Sequence, residues 1–102
     1  MRFKKGVNFQ GISPELILGL FVANEVYALY GVNMTVTSLL DSKHSRTSLH
    51  YSGNGADLRT RDLKAKADAD KIAKEIKLRL GIHFDVIVES THMHMEYQPH
   101  IS

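Results

Sequence analysis

Two segments of the chain place apolar residues at the three- and four-residue spacing of an amphipathic helix. The first follows Ser13-Pro14-Glu15, a typical helix start with a capping hydroxyl, a proline in the first turn and an acid near the positive dipole end. This pattern predicts a core helix that runs to about Tyr30 and stops at Gly31. Its apolar positions are Leu16, Leu20, Ala23, Val26, Tyr27 and Tyr30.

The second helical pattern runs from about Leu63 to Leu80, and we expect Thr60 or Asp62 to cap it and Gly81 to end it. Its apolar stripe consists of Ala65, Ala69, Ile72, Ala73, Ile76 and Leu80. Oppositely charged side chains four residues apart support the helix, namely Asp70 with Lys74 and Glu75 with Arg79. Because its lysines alternate with acids, we interpret its polar side as a solvated face.

Four other segments are predicted to form β-strands. Met34–Ser38 is rich in β-branched residues and predicts one strand, and residues 55–60 predict a short second one. Residues 84–89 and 92–97 alternate between apolar and polar positions, and Ser90-Thr91 between them predicts a hairpin with a two-residue turn.

The order of these elements predicts an α+β domain, a small antiparallel β-sheet with two main helices packed on one side. Residues 39–54 have no periodicity and are dense in Ser, His, Lys, Arg and Gly, so they predict a long loop of the kind that is often functional. With 102 residues, 43% of them hydrophobic, the chain fits a single domain over residues 1–102.

The amino-acid composition limits the kinds of site and of partner that the chain can have. The chain has no cysteine, which excludes disulfides and thiolate metal sites. The net charge of +2 and the interleaving of basic with acidic residues do not favour nucleic-acid binding. The apolar run 16–30 contains Asn24 and Glu25 and is too short for a bilayer span, and the polar residues 6–15 do not resemble a signal-peptide core. We therefore expect a protein that is cytoplasmic on synthesis and has no membrane partner.

Histidines and acids cluster near the end of the chain. His92 and His94 lie two residues apart on a predicted strand, so their side chains leave the same face, while Met93 and Met95 face the core. Since Glu89 and Glu96 flank this pair in sequence, the cluster is typical of a metal or catalytic site.

A second candidate pair lies in and after the long loop. His50 and Asp57 are seven residues apart, and Gly53 and Gly55 between them let the backbone turn sharply. Two histidines and one aspartate are a common set of three protein ligands for a catalytic zinc, because they leave one coordination position open.

These two segments resemble a known family. Ser48-x-His50-x-x-Gly53-x-Gly55-x-Asp57 is similar to the S-x-H-x-x-G-x-A-x-D signature of the M15-type zinc D,D- and L,D-peptidases, in the group that also holds lysostaphin-type endopeptidases and the hedgehog signalling domain. Glu89-x-x-His92-x-His94 resembles the second signature of that group. The two motifs cover about a fifth of the chain, and one position departs, Gly55 where Ala is usual, an exchange that we expect to preserve the packing.

The resemblance implies roles for individual residues. His50, Asp57 and His94 would be the zinc ligands, Glu89 the general base, and His92 a group that stabilises the transition state or orients the water. In a second register, that is, an alternative alignment with the second signature, His92 rather than His94 is the third zinc ligand. Glu89 is the general base in both alignments. For stabilisation of the oxyanion the candidates are Arg46, Lys43 and His44, in the loop just before the ligands, and Arg46 corresponds in type to the arginine that relatives often use. Ser48 is a candidate for hydrogen bonding within the loop or to substrate.

The function that the resemblance implies is zinc-dependent hydrolysis of peptide bonds in peptidoglycan stem peptides, on a hedgehog- or D,D-peptidase-like fold. The bond would be of the D-Ala-D-Ala carboxypeptidase or the L-Ala-D-Glu endopeptidase type. The resemblance and the small size of the chain favour a phage-encoded protein that acts on the bacterial cell wall. We expect a monomer. The alternatives are a metal-binding module that has lost catalysis and a phage structural protein that keeps only the fold.

Overall fold

The structure is a computed structural model that describes residues 1–40 and 55–99. In chain order the elements are β1 (Arg2–Phe3), α1 (Pro14–Leu29), β2 (Thr35–Leu40), β3 (Gly55–Arg59), α2 (Lys66–Leu80), β4 (Phe84–Val88) and β5 (His92–Tyr97). The five strands form one sheet in the order β1-β2-β3-β5-β4. The predicted α+β class and the two main helices are confirmed.

The start of α1 matches the sequence prediction. Ser13 is the N-cap, its hydroxyl accepts a hydrogen bond from the Leu16 backbone N–H at 3.1 Å, and Pro14 opens the helix. The chain then leaves the helix through Tyr30, and Gly31 has a φ of +74°, which favours glycine.

Three predicted details of the elements are wrong. The sheet is mixed, because the two-residue strand β1 pairs parallel with β2. The helix α2 starts at Lys66 rather than near Leu63, and its N-cap is Ala65, which has no side-chain capping bond. β2 extends two residues beyond Ser38, to Leu40.

One hydrophobic core lies between the helices and one face of the sheet. Tyr27 from α1 and Ile72 from α2 are fully buried there with Met93 and Met95 from β5. The predicted inward direction of both methionines is confirmed. The opposite face of the sheet carries Asp57, His92, His94 and Glu96, and we call it the histidine face.

A bulge in β2 adapts the sheet beside this face. The β2–β3 register shifts between Val36 and Ser38, so Val36 and Leu39, three residues apart, both reach the core. As a result Ser38 pairs with Asp57 on the histidine face. Neither helix in the described ranges is both long and apolar enough to cross a bilayer.

Candidate metal and catalytic centre

The centre of the histidine face is a cross-strand pair of Asp57 and His94. These residues are direct partners in the antiparallel pairing of β3 with β5, so their side chains leave the sheet side by side. Asp57 Oδ1 lies 2.9 Å from His94 Nδ1, although 37 residues separate the two in sequence. The sheet register therefore unites one residue of each sequence motif.

The imidazole of His94 is held from two further directions. Its Nε2 lies 3.0 Å from Glu96 Oε1, so each ring nitrogen faces a carboxylate. A Cβ atom added to Gly55 would lie 2.8 Å from His94 Cε1, so the ring fills the space that an alanine methyl group would need. An alanine at position 55 would therefore require the His94 ring to shift, so the exchange does not leave this packing unchanged as expected.

This environment changes the pKa of His94. Partial burial, the largest single influence, lowers the pKa, but hydrogen bonds and charge interactions with Asp57 and Glu96 outweigh it. The pKa of His94 therefore lies above the ordinary histidine value of 6.5. In the metal-free protein this imidazole favours the protonated form more than a solvated histidine does.

The second histidine forms a separate pair with the predicted base. His92 Nε2 lies 2.9 Å from Glu89 Oε1, and Thr91 Oγ1 is 3.2 Å from the other ring nitrogen. The same Nε2 lies 3.6 Å from Asp57 Oδ1. The Glu89–His92 pair therefore adjoins the Asp57–His94 pair through a shared carboxylate.

β2 supports Asp57 from the side away from the histidines. At the bulge the Thr37 hydroxyl donates a hydrogen bond to the Asp57 carbonyl oxygen at 3.2 Å. Bulges occur often beside active sites, where they redirect a side chain or a strand end. Here the extra residue fixes the backbone that carries the central carboxylate.

Asp57 and His94 suit zinc in residue type. Ligand atoms about 2.0–2.2 Å from a tetrahedral zinc are about 3.3–3.6 Å apart. The Oδ1–Nδ1 separation of 2.9 Å is shorter and is that of a hydrogen bond, so the two side chains would separate slightly to bind one ion. Histidine ligands of metals commonly donate their other N–H to a carboxylate, and the contact of His94 Nε2 with Glu96 matches this pattern.

Five predicted site residues lie outside the described residues, and they are Lys43, His44, Arg46, Ser48 and His50. Within residues 1–40 and 55–99, no group of three or more His, Asp or Glu side chains forms a set that could hold a metal ion. The described part of the site thus contains the predicted ligands Asp57 and His94 and the Glu89–His92 pair, all on one face.

Two residues of this face were given no individual role in the sequence analysis. Glu96 contacts His94, and the signal for it was available, because Glu96 lies two residues after His94 and so shares its face. Arg59 pairs with His92 across β3 and β5, and its place depends on a register that no sequence pattern gives.

Comparisons with known proteins identify no family for this chain. Models of protein families, curated proteins and solved structures were searched, and none matches it.

Proposed function

We propose that this chain is a zinc-dependent metallopeptidase that hydrolyses peptide bonds in peptidoglycan stem peptides. The main support is that a nitrogen–oxygen ligand pair, Asp57 with His94, lies beside a carboxylate–imidazole pair, Glu89 with His92. The resemblance of the two sequence motifs to the M15-type zinc peptidases, a family with hedgehog-like relatives, supplies the substrate class.

In this proposal Asp57 and His94 hold the zinc together with His50, which lies outside the described residues. Zinc, when bound, would lower the pKa of a water molecule and polarise the carbonyl group of the scissile amide. Asp57 Oδ1 and His94 Nδ1 are adjacent, and both would be available to one ion after the proton between them has been lost and their hydrogen bond has opened.

Glu89 acts as the general base. Its side chain is about half exposed and so can reach a water molecule at the site. The carboxylate accepts the proton of the attacking water and delivers it to the nitrogen of the leaving amine, which completes the hydrolysis. His92 orients that carboxylate, because its Nε2 lies 2.9 Å from Glu89 Oε1.

The test combines metal analysis with digestion of purified peptidoglycan by the wild type and by Glu89→Gln. We expect about one zinc per chain in both proteins, and about a hundredfold or greater loss of hydrolysis in the variant, as is typical when a general base is removed. Glu75→Gln is a matched control, because Glu75 lies on α2 and pairs with Arg79 away from the site.

Each failure has a distinct result. Equal rates for the wild type and Glu89→Gln would contradict the role of Glu89 as base. Stoichiometric zinc without any hydrolysis would identify an inactive metal-binding module. Purified protein that neither retains nor binds zinc would indicate a structural role for the fold.

A further inference from the structure

Arg59 is the only lysine or arginine on the three strands β3, β4 and β5. It lies directly opposite His92 in the β3–β5 register and on the same face as Asp57, two residues earlier. Since β5 lies between β3 and β4, Arg59 and Glu89 flank His92 on opposite sides. Arg59 is thus the one side chain of these three strands that carries a permanent positive charge, and it lies beside His92 on the side opposite to Glu89.

The backbone of Arg59 is anchored from the core. The Tyr27 hydroxyl of α1 donates a hydrogen bond to the Arg59 carbonyl oxygen at 3.1 Å, and Tyr27 is fully buried. This bond fixes the end of β3, so the arginine side chain starts from a defined position on the histidine face.

The guanidinium group has no hydrogen-bond or ion-pair partner among the residues that the structure describes. Asp57 and Glu96 share its face, yet each makes its short contact with His94 instead. Arg59 is only partly exposed, which reduces the screening of its charge by solvent. Its planar set of donors suits a carboxylate, which it can bind through two parallel hydrogen bonds.

We propose that Arg59 binds a substrate carboxylate that neighbours the scissile amide. An anionic substrate would be repelled by the carboxylates of Asp57, Glu89 and Glu96, and a cation on the same face offsets this repulsion. The inference rests on the proposed function and narrows its substrates to peptides with a free carboxylate on a residue next to the cleaved bond.

A groove of about 530 Å³ that is lined by Glu89 and by residues after β3 provides a rival location for this carboxylate. Its walls include the basic residues Arg61 and Lys66 and the acids Asp70 and Glu89, so it also offers cations to an anionic group. The position of Arg59 next to His92 favours Arg59 for a carboxylate close to the reacting bond, while the groove suits a more distant part of the peptide. Substitution of Arg61 distinguishes the two.

The experiment measures binding without hydrolysis, by calorimetry on the zinc-loaded Glu89→Gln protein. The probes are the synthetic pentapeptide L-Ala-γ-D-Glu-L-Lys-D-Ala-D-Ala and two forms of it, amidated either at the D-Glu α-carboxylate or at the C-terminus. We expect one amidation to weaken binding about tenfold or more, the usual order for a hydrogen-bonded charge. Adding Arg59→Gln should remove this preference for the acid, and Arg59→Lys should restore part of it.

Three controls make the result specific. Arg61→Gln and Arg79→Gln, each in the Glu89→Gln background, should keep the preference for the acid, and zinc content should be equal in all variants. In the otherwise wild-type protein, Arg59→Gln should raise KM for the acid peptide more than it lowers kcat.

The proposal is overturned if the acid and both amidated peptides bind equally to the protein that retains Arg59. It is also overturned if the preference survives Arg59→Gln or disappears with Arg61→Gln. A lack of hydrolysis by the zinc-loaded wild type overturns the proposed function instead, so the two failures are distinguishable.

Discussion

At the scale of single residues, His92 and His94 differ in the partners of their second ring nitrogens. His94 presents one nitrogen to Asp57 and the other to the Glu96 carboxylate, while the second nitrogen of His92 faces only the Thr91 hydroxyl. A carboxylate on the far nitrogen raises the basicity of an imidazole ligand and fixes its orientation. This difference favours His94 as the zinc ligand.

We therefore predict that His94→Ala weakens zinc binding by about a hundredfold, whereas His92→Ala keeps zinc and loses activity. Competition with a chromophoric chelator gives the zinc affinity, and peptide hydrolysis gives the activity. His83→Ala is the control, since His83 is exposed in the turn before β4. The reverse pattern, with zinc lost from His92→Ala alone, would identify His92 rather than His94 as the third zinc ligand.

Residue 55 shows why a sequence motif alone can misjudge a site. Glycine and alanine are both small, but the ring of His94 lies where an alanine methyl group would be. The orientation of that ring depends on contacts with Asp57 and Glu96, which only the sheet register determines. The constraint at Gly55 is therefore tertiary, and no local pattern reveals it.

At the scale of elements, alternation in β5 and the Ser13 cap of α1 were predicted correctly, and the N-cap of α2 was not. The period of two in β5 correctly assigned Met93 and Met95 to the core and both histidines to the other face. The chain before α2 instead forms a turn in which the Leu63 N–H donates to the Thr60 carbonyl oxygen. That turn delays the helix, so hydroxyl and carboxylate side chains at Thr60 and Asp62 do not serve as its cap.

The contact between α1 and β3 gives a prediction about stability. Tyr27→Phe removes the hydrogen bond to the Arg59 carbonyl oxygen and leaves that oxygen without this partner. We expect the free energy of unfolding to fall by about 1–2 kcal/mol, measured by chemical denaturation. Burial, followed by the charge of Asp62, raises the pKa of Tyr27, so the hydroxyl stays neutral and the effect should not vary between pH 6 and about 8.

Tyr30→Phe is the matched control for this test. Tyr30 is only partly buried at the C-cap of the same helix, so its substitution should change the free energy of unfolding by less than about 0.5 kcal/mol. Equal losses from the two variants would show that the Tyr27 hydroxyl does not secure β3.

At the scale of the whole molecule, the fold class followed from the sequence but the pairing of strands distant in sequence did not. Local patterns located both helices and the hairpin, because amphipathic period and turn residues act over a few positions. The pairing of β3 with β5 and the parallel strand β1 arise from contacts between distant segments. The candidate site depends on this long-range pairing. The sequence therefore indicated which residues belong to the site but not the distances between them.

Zinc and protons compete for the centre, and this competition should be visible in the stability of the whole protein. The pKa of His94 is raised in the folded, metal-free state. The stabilisation that its protonated form provides is therefore fully present below about pH 6.5, the unfolded value, and is lost as the pH rises through the folded pKa. Zinc needs the neutral imidazole, so its stabilisation changes in the opposite direction and grows with pH.

We predict that the Tm difference between zinc-loaded and chelator-treated protein is small near pH 5.5 and increases towards about pH 8. With free zinc at a hundredfold excess over its Kd, the stabilisation should be about 2.7 kcal/mol, and thermal unfolding monitored by circular dichroism measures it. His94→Gln should abolish the zinc-dependent increase and also the extra acid-side stability of the metal-free protein. A zinc-induced shift that is equal at all pH values, or that persists in His94→Gln, would mean that the ion binds elsewhere and that the Asp57–His94 pair is only a structural ion pair.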